Sequence, residues 1–147
     1  SDVYKRQLSI PNWKLHHIIE TLGASIVGEE MCTGLRYCEN LVDEEATDMD
    51  TMVENLARRY LGHINCACFT PNMERIDDIK RLVKEYNADG VIDVNLKFCN
   101  LYDVEGLKVE KSLREDNIPV IGIETDYTDE DAEQLKTRIG AFIEILG

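Results

Sequence analysis

Positive charge is scarce in this chain: 16 Lys and Arg stand against 29 Asp and Glu in 147 residues, for a formal charge of −13. Such a surface repels phosphate backbones and anionic lipid, and no basic stripe interrupts it, so nucleic acid and membrane are poor candidates for partners. There is no apolar run long enough to cross a bilayer. These residues show no signal-peptide pattern, and the five cysteines are an odd number, too few for a disulfide scaffold. A reducing, cytoplasmic compartment is expected. The chain lacks CxxC, which removes a thioredoxin-type dithiol and a zinc ribbon, and it lacks GxGxxG and a Walker-A loop, so binding a dinucleotide or hydrolysing ATP is not expected of it.

What is present is the composition of a globular domain, 44% hydrophobic and 31% charged, at the length of one domain. Ser1 to Gln7 carries no apolar pattern and is set aside as a cloning or assembly scar, which leaves residues 8–147 as one α/β domain. Short apolar runs alternate with longer runs of helical period, as in βα units on a parallel sheet. Asn12 to Leu22 reads as a helix stopped by Gly23, and Ala24 to Gly28 as a strand. Asp48 or Asp50 caps a helix to Leu61, with Met52, Val53, Leu56 and Tyr60 on one face. Ile76, Ile79, Leu82, Val83 and Tyr86 mark another helix, and Gly90 to Leu96 a strand. Val104 to Glu115 is a weaker helix and Ile118 to Ile123 a strand, with Pro119 tolerable only near its start. Thr128 is expected to cap a last helix striped by Ala132, Leu135, Ile139, Phe142 and Leu146. The first helix has no strand before it, so the sheet is expected to lack its first strand, whose place is where Ser1 to Ile10 now stand.

Cys32 and Cys99 each follow a strand, at the edge where open α/β sheets gather their ligands. Cys66 and Cys68 lie in a connection able to reach the same edge. Side chains two apart in extended chain point oppositely, so one of this pair is expected to face the site, Cys66 being preferred. Each cysteine alone reads equally as a small buried hydrophobe, and Cys38 reads as packing. His16, His17 and His63 read as exposed or capping side chains. Glu29 and Glu30, at a strand end, could move protons but read first as solvated. Soft thiolates from separate loops, without histidine, suit an iron–sulfur cluster better than zinc.

The run Gly28-Glu-Glu-Met-Cys-Thr-Gly-Leu-Arg-Tyr37 is one of several blocks with a wider likeness. The others are Cys66-Ala-Cys-Phe-Thr-Pro-Asn72, Asp89 to Cys99, and Ile118 to Tyr127 with Gln134 to Phe142. Together they resemble the 2-hydroxyacyl-CoA dehydratase D-component family over nearly everything after residue 10, and the CTG and CAC blocks look most like its double-cubane-cluster reductase branch. The resemblance implies a flavodoxin-like, three-layer domain forming the C-terminal half of a protein whose two similar halves hold an iron–sulfur cluster, 4Fe-4S or double-cubane, between them. It implies Cys32, Cys66 and Cys99 as this half's ligands. It implies as partners an ATP-hydrolysing iron–sulfur activator, the missing N-terminal half, and a paralogous subunit or second copy. The implied chemistry is radical dehydration of a 2-hydroxyacyl-CoA, or reduction of a small molecule, driven by a low-potential electron. With half the ligands elsewhere, this piece alone is expected to be inactive. The acidic charge is a poor match for anionic CoA. The alternative reading is a non-catalytic flavodoxin-like interaction domain with buried structural cysteines.

Overall fold

A computed structural model of the chain describes residues 2–6 (by their backbone), 13–30, 34–62, 65–69 and 72–147. The elements run β1 (Asp2–Arg6), α1 (Lys14–Thr21), β2 (Ser25–Glu30), α2 (Leu35–Cys38), α3 (Met49–Leu61), α4 (Met73–Glu85), β3 (Gly90–Leu96), α5 (Asn100–Glu115), β4 (Val120–Thr125) and α6 (Ala132–Leu146). All four strands pair in parallel, in the order β2-β1-β3-β4. Side chains alternate across a strand, and β3 shows the consequence: Ile92 and Val94 join the core under α1 and α6, while Val91 joins the core under α4 and α5. The result is three layers, helices on both faces of a parallel sheet, a flavodoxin-like layout.

The expected absence of the first strand is corrected. Asp2–Arg6 occupies the place between β2 and β3, with Val3 opposite Gly90 and Arg6 opposite both Glu30 and Asp93. The ladder is made by backbone N–H and C=O groups, so a pentapeptide without proline completes it even where its sequence has no continuous apolar run. A reading keyed to apolar runs passes over such a segment.

Three helix-to-strand turns use one device. The residues after the C-caps of α1, α4 and α5 are Gly23, Asn87 and Asn117, all at positive φ. The following N–H then reaches back to the carbonyl of Ile19, Val83 or Leu113. These are Schellman endings, which satisfy the last carbonyls and turn the chain straight into β2, β3 and β4.

Two further expectations change. Asp48 does cap α3, accepting from the Thr51 N–H at 2.9 Å. Yet the stripe expected to be core is open: Met52 is 42% and Val53 56% exposed, and Leu56 and Tyr60 are similarly open. The helix is instead held along one flank of that stripe, where the Arg59 guanidinium donates to the Asn40 and Tyr37 carbonyls and Asn55 donates to that of Asp43. The cap of α6 is Asp131, not Thr128. Thr128 is drawn away by Asp126, which accepts from its N–H and its hydroxyl. Asp131 accepts from the fully buried Thr125 hydroxyl at 2.8 Å and from Lys14 at 2.6 Å, tying the end of β4 to α1. Burial pushes the Asp131 carboxyl up, but Lys14 and Thr125 outweigh it and hold it below the usual carboxylate range.

Two measurements check these assignments. In urea denaturation Ile139→Ala, in the core, should cost about 2–5 kcal/mol, whereas Met52→Ala should change stability by roughly 0.5 kcal/mol or less. Because the Asp131 carboxyl is lowered in the folded state, its stabilising contribution is complete above the unfolded value of about 3.9 and is lost as pH falls through the folded one. Asp131→Asn should therefore be less stable than the parent at neutral pH, and the difference should close below about pH 4.

Candidate functional site at the carboxyl edge of the sheet

Parallel strands deliver their chain to one edge, and the helices that return from it begin there, so the loops after β2, β3 and β4 and the starts of α4 and α5 converge. Cys99 is the N-cap of α5, half-buried, with its N–H on the Leu96 carbonyl at 3.0 Å. The residue before it, Phe98, has φ of 68° and is almost wholly exposed. A bulky side chain in the left-handed region is backbone strain, spent here on turning β3 into α5 with Cys99 at the turn.

Cys66 reaches the same helix start. It is half-buried, and its Sγ lies 3.3 Å from the hydroxyl of Tyr102, in the first turn of α5, three residues beyond Cys99. Cys68 is exposed. Of the two, Cys66 is the more buried. Cys32 lies outside the described residues, between Glu30 and Gly34, and so does His63. Among the described residues no three His, Cys, Asp or Glu side chains gather as a metal-binding group. Cys38 is exposed at the end of α2, its thiol 3.7 Å from the Gly34 carbonyl, so it does not pack as expected. His16 pairs with Glu29, and His17 is exposed.

The sequence reading missed the charges around Cys66. Glu30, expected to be solvated, is buried and held by Arg36, whose Nε donates at 2.8 Å. Burial disfavours the Arg36 charge, but Glu30 more than restores it and the guanidinium stays charged well above its ordinary value. Arg36 also bonds the Tyr102 hydroxyl. Arg75, in the first turn of α4, stacks over the Tyr102 ring at 5.5 Å. Burial first, and Cys66 second, keep Tyr102 protonated. Burial likewise pushes the Cys66 thiol up. The Cys68 N–H, the Tyr102 hydroxyl, the Cys68 side chain and the Arg36 charge together outweigh it, and the thiol ends below its ordinary value. A signal existed in the sequence: Tyr102 stands at i+3 from Cys99, the spacing that puts two residues on one helix face.

These features define a doubly wound α/β domain whose carboxyl edge presents two half-buried cysteines, with Arg36 and Arg75 close to Cys66 and its tyrosine partner. No helix among the described residues is long and apolar enough to cross a membrane. The 2-hydroxyglutaryl-CoA dehydratase D-component family matches residues 6–146, and the chain belongs to that family. It is 43% identical over 134 residues to the putative dehydratase subunit YjiM of Escherichia coli (strain K12), covering 90% of this chain and 34% of that protein. It is 33% identical over 129 residues to the (R)-phenyllactyl-CoA dehydratase beta subunit of Clostridium sporogenes, covering 88% of this chain and 33% of that protein. The chain thus spans about a third of the length of these relatives.

Removing the Tyr102 hydroxyl takes away a donor that favours the Cys66 thiolate. In Tyr102→Phe the pH profile for iodoacetamide capture of Cys66, followed by peptide mass spectrometry, should move to higher pH while that of Cys38 stays. An unmoved Cys66 profile would remove Tyr102 from the site.

Proposed function

We propose that this chain is the cluster-holding C-terminal portion of an iron–sulfur dehydratase acting on a 2-hydroxyacyl-CoA, with Cys32, Cys66 and Cys99 as its ligands. The observation that carries the reading is the contact of Cys66 Sγ with Tyr102 in the first turn of α5, the helix that Cys99 caps, with a cation and donors that favour the Cys66 thiolate. That donor set fits the group. Both thiols are free and half-buried, thiolate is the ligating form, and soft sulfur donors without imidazole select iron–sulfur chemistry over hard cations. When bound, the cluster supplies one-electron chemistry at low potential. The chain's own part is to hold the cysteines at the carboxyl edge, to favour the Cys66 thiolate through Arg36 and Tyr102, and to shield the site beneath the starts of α4 and α5.

Elimination of water from a 2-hydroxyacyl thioester yields a 2-enoyl thioester. The family description and the name of one relative, a phenyllactyl-CoA dehydratase subunit, support that substrate class. Small-molecule reduction is the competing outcome within the same site. The reading further assigns to the assembly an ATP-hydrolysing activator as electron donor, the remaining part of the polypeptide with the other cluster ligands, a paralogous subunit or second copy, and a cytoplasmic setting. The isolated chain is inactive under this reading.

The test is anaerobic reconstitution of the complete polypeptide with iron and sulfide. Wild type and Cys38→Ala should take up equal iron, whereas Cys32→Ala, Cys66→Ala and Cys99→Ala should each lose most of it, because a cluster has no substitute for a missing thiolate. Equal iron in all of them refutes the assignment. With activator and ATP, a 2-hydroxyacyl-CoA should give the 2-enoyl product; reduction of a small molecule without dehydration would favour the competing outcome.

A further inference from the structure

Arg75 is 1% exposed and is among the largest fully buried side chains of the fold. A charge taken that far from water is costly and is normally repaid by close, forked hydrogen bonds. Arg75 does not make them. Among the described residues its Nε, Nη1 and Nη2 have no hydrogen-bond acceptor, and its ion pair with Glu105 is long, 3.5 Å from Nη1 to Oε2. Glu105 is already engaged elsewhere, accepting from Asn72 at 2.7 Å and lying 4.0 Å from Lys108. Stability alone therefore gives a weak account of a guanidinium held in this place.

Its other neighbour is the face of Tyr102, 5.5 Å away, and the hydroxyl of that ring is the group on Cys66 Sγ. Arg36 bonds the same hydroxyl. Two buried cations thus converge on one tyrosine, one on its face and one at its tip, with the thiol beyond. The starts of α4 and α5, the positive ends of their helix dipoles, open on the same edge. In a low-dielectric interior such a cation is felt over several ångströms.

We propose that Arg75 is a positioning residue: stacked on Tyr102, it fixes that ring against Cys66 and maintains a positive potential that favours the reduced state of a cluster held there. This rests on the cluster reading above. Adding an electron makes the bound group more negative, so a fixed cation nearby raises its reduction potential, and removing the cation lowers it.

The experiment uses the complete polypeptide, loaded anaerobically with iron and sulfide, and reads iron content and the midpoint potential from redox titration followed by electron paramagnetic resonance. Arg75→Met keeps length and removes charge, and Glu105 retains Asn72 and Lys108. Iron content should match wild type while the midpoint potential shifts negative. Arg75→Lys, which keeps the charge, should return most of the shift. Glu105→Gln, an independent variant that weakens the counter-charge and leaves Arg75 in place, should shift the potential positive. The proposal is overturned if Arg75→Met and Glu105→Gln both titrate with wild type, or if Arg75→Met and Arg75→Lys move alike, which would mark shape and not charge. A wild-type polypeptide that takes up no iron overturns the cluster reading and this inference with it; iron uptake without a potential shift overturns this inference alone.

Discussion

In a parallel sheet every strand hands its chain to the same edge, and each helix that covers the sheet must start from that edge to run back. This one directional constraint places the ends of β2, β3 and β4 and the starts of α4 and α5 together, although they come from stretches of sequence up to about a hundred residues apart. It also orients the helix dipoles, whose positive ends collect on the side where thiolates are useful. Everything proposed for Cys66 and Cys99 depends on that convergence. The same constraint explains why the opposite edge of the sheet is occupied by three repeated Schellman turns at Gly23, Asn87 and Asn117, which connect helix to strand.

The chemistry at the edge is governed by burial acting against charge. Glu30 and Arg36, and Arg75 with Glu105, are ionised groups kept from water where apolar side chains of the same size would fill the space at less cost. Desolvation pushes the Cys66 thiol up; the Cys68 N–H, the Tyr102 hydroxyl and the Arg36 charge outweigh it and leave the thiol below its ordinary value. Such opposition of terms is common where a fold holds a reactive group ready. The strain at Phe98 belongs with it, since a bulky residue at positive φ is retained directly before Cys99. On the far side of the sheet the ties of Asp131 to Thr125 and Lys14 are of a different kind, fixing the loop after β4 against α1.

Helix α3 shows that helical period and burial are separate facts. Its apolar stripe is regular, and its cap at Asp48 is as the sequence indicates, yet the stripe faces outward and the contacts that hold the helix come from Arg59 and Asn55. Periodicity reports which residues share a face. It carries no information on what covers that face.

The sequence by itself determined the class of the fold, the alternation of strands and helices, the helical stripe of α6, the capped start of α3, the family, and the location of Cys99 after a strand and of Cys66 in a connection between two helices. These are properties of local pattern, where a period, a capping side chain or a turn residue acts over a few positions. Only the tertiary structure decided that Asp2–Arg6 fills the centre of the sheet, because its place depends on backbone pairing with β2 and β3 and on no pattern of its own. Only it decided that Glu30 is buried on Arg36, that Arg75 lies over Tyr102, and that Tyr102 meets Cys66, 36 residues away in sequence. Those contacts join separate elements, and the energy of a buried charge is set by what the whole fold brings within a few ångströms of it, which no local stretch of residues contains.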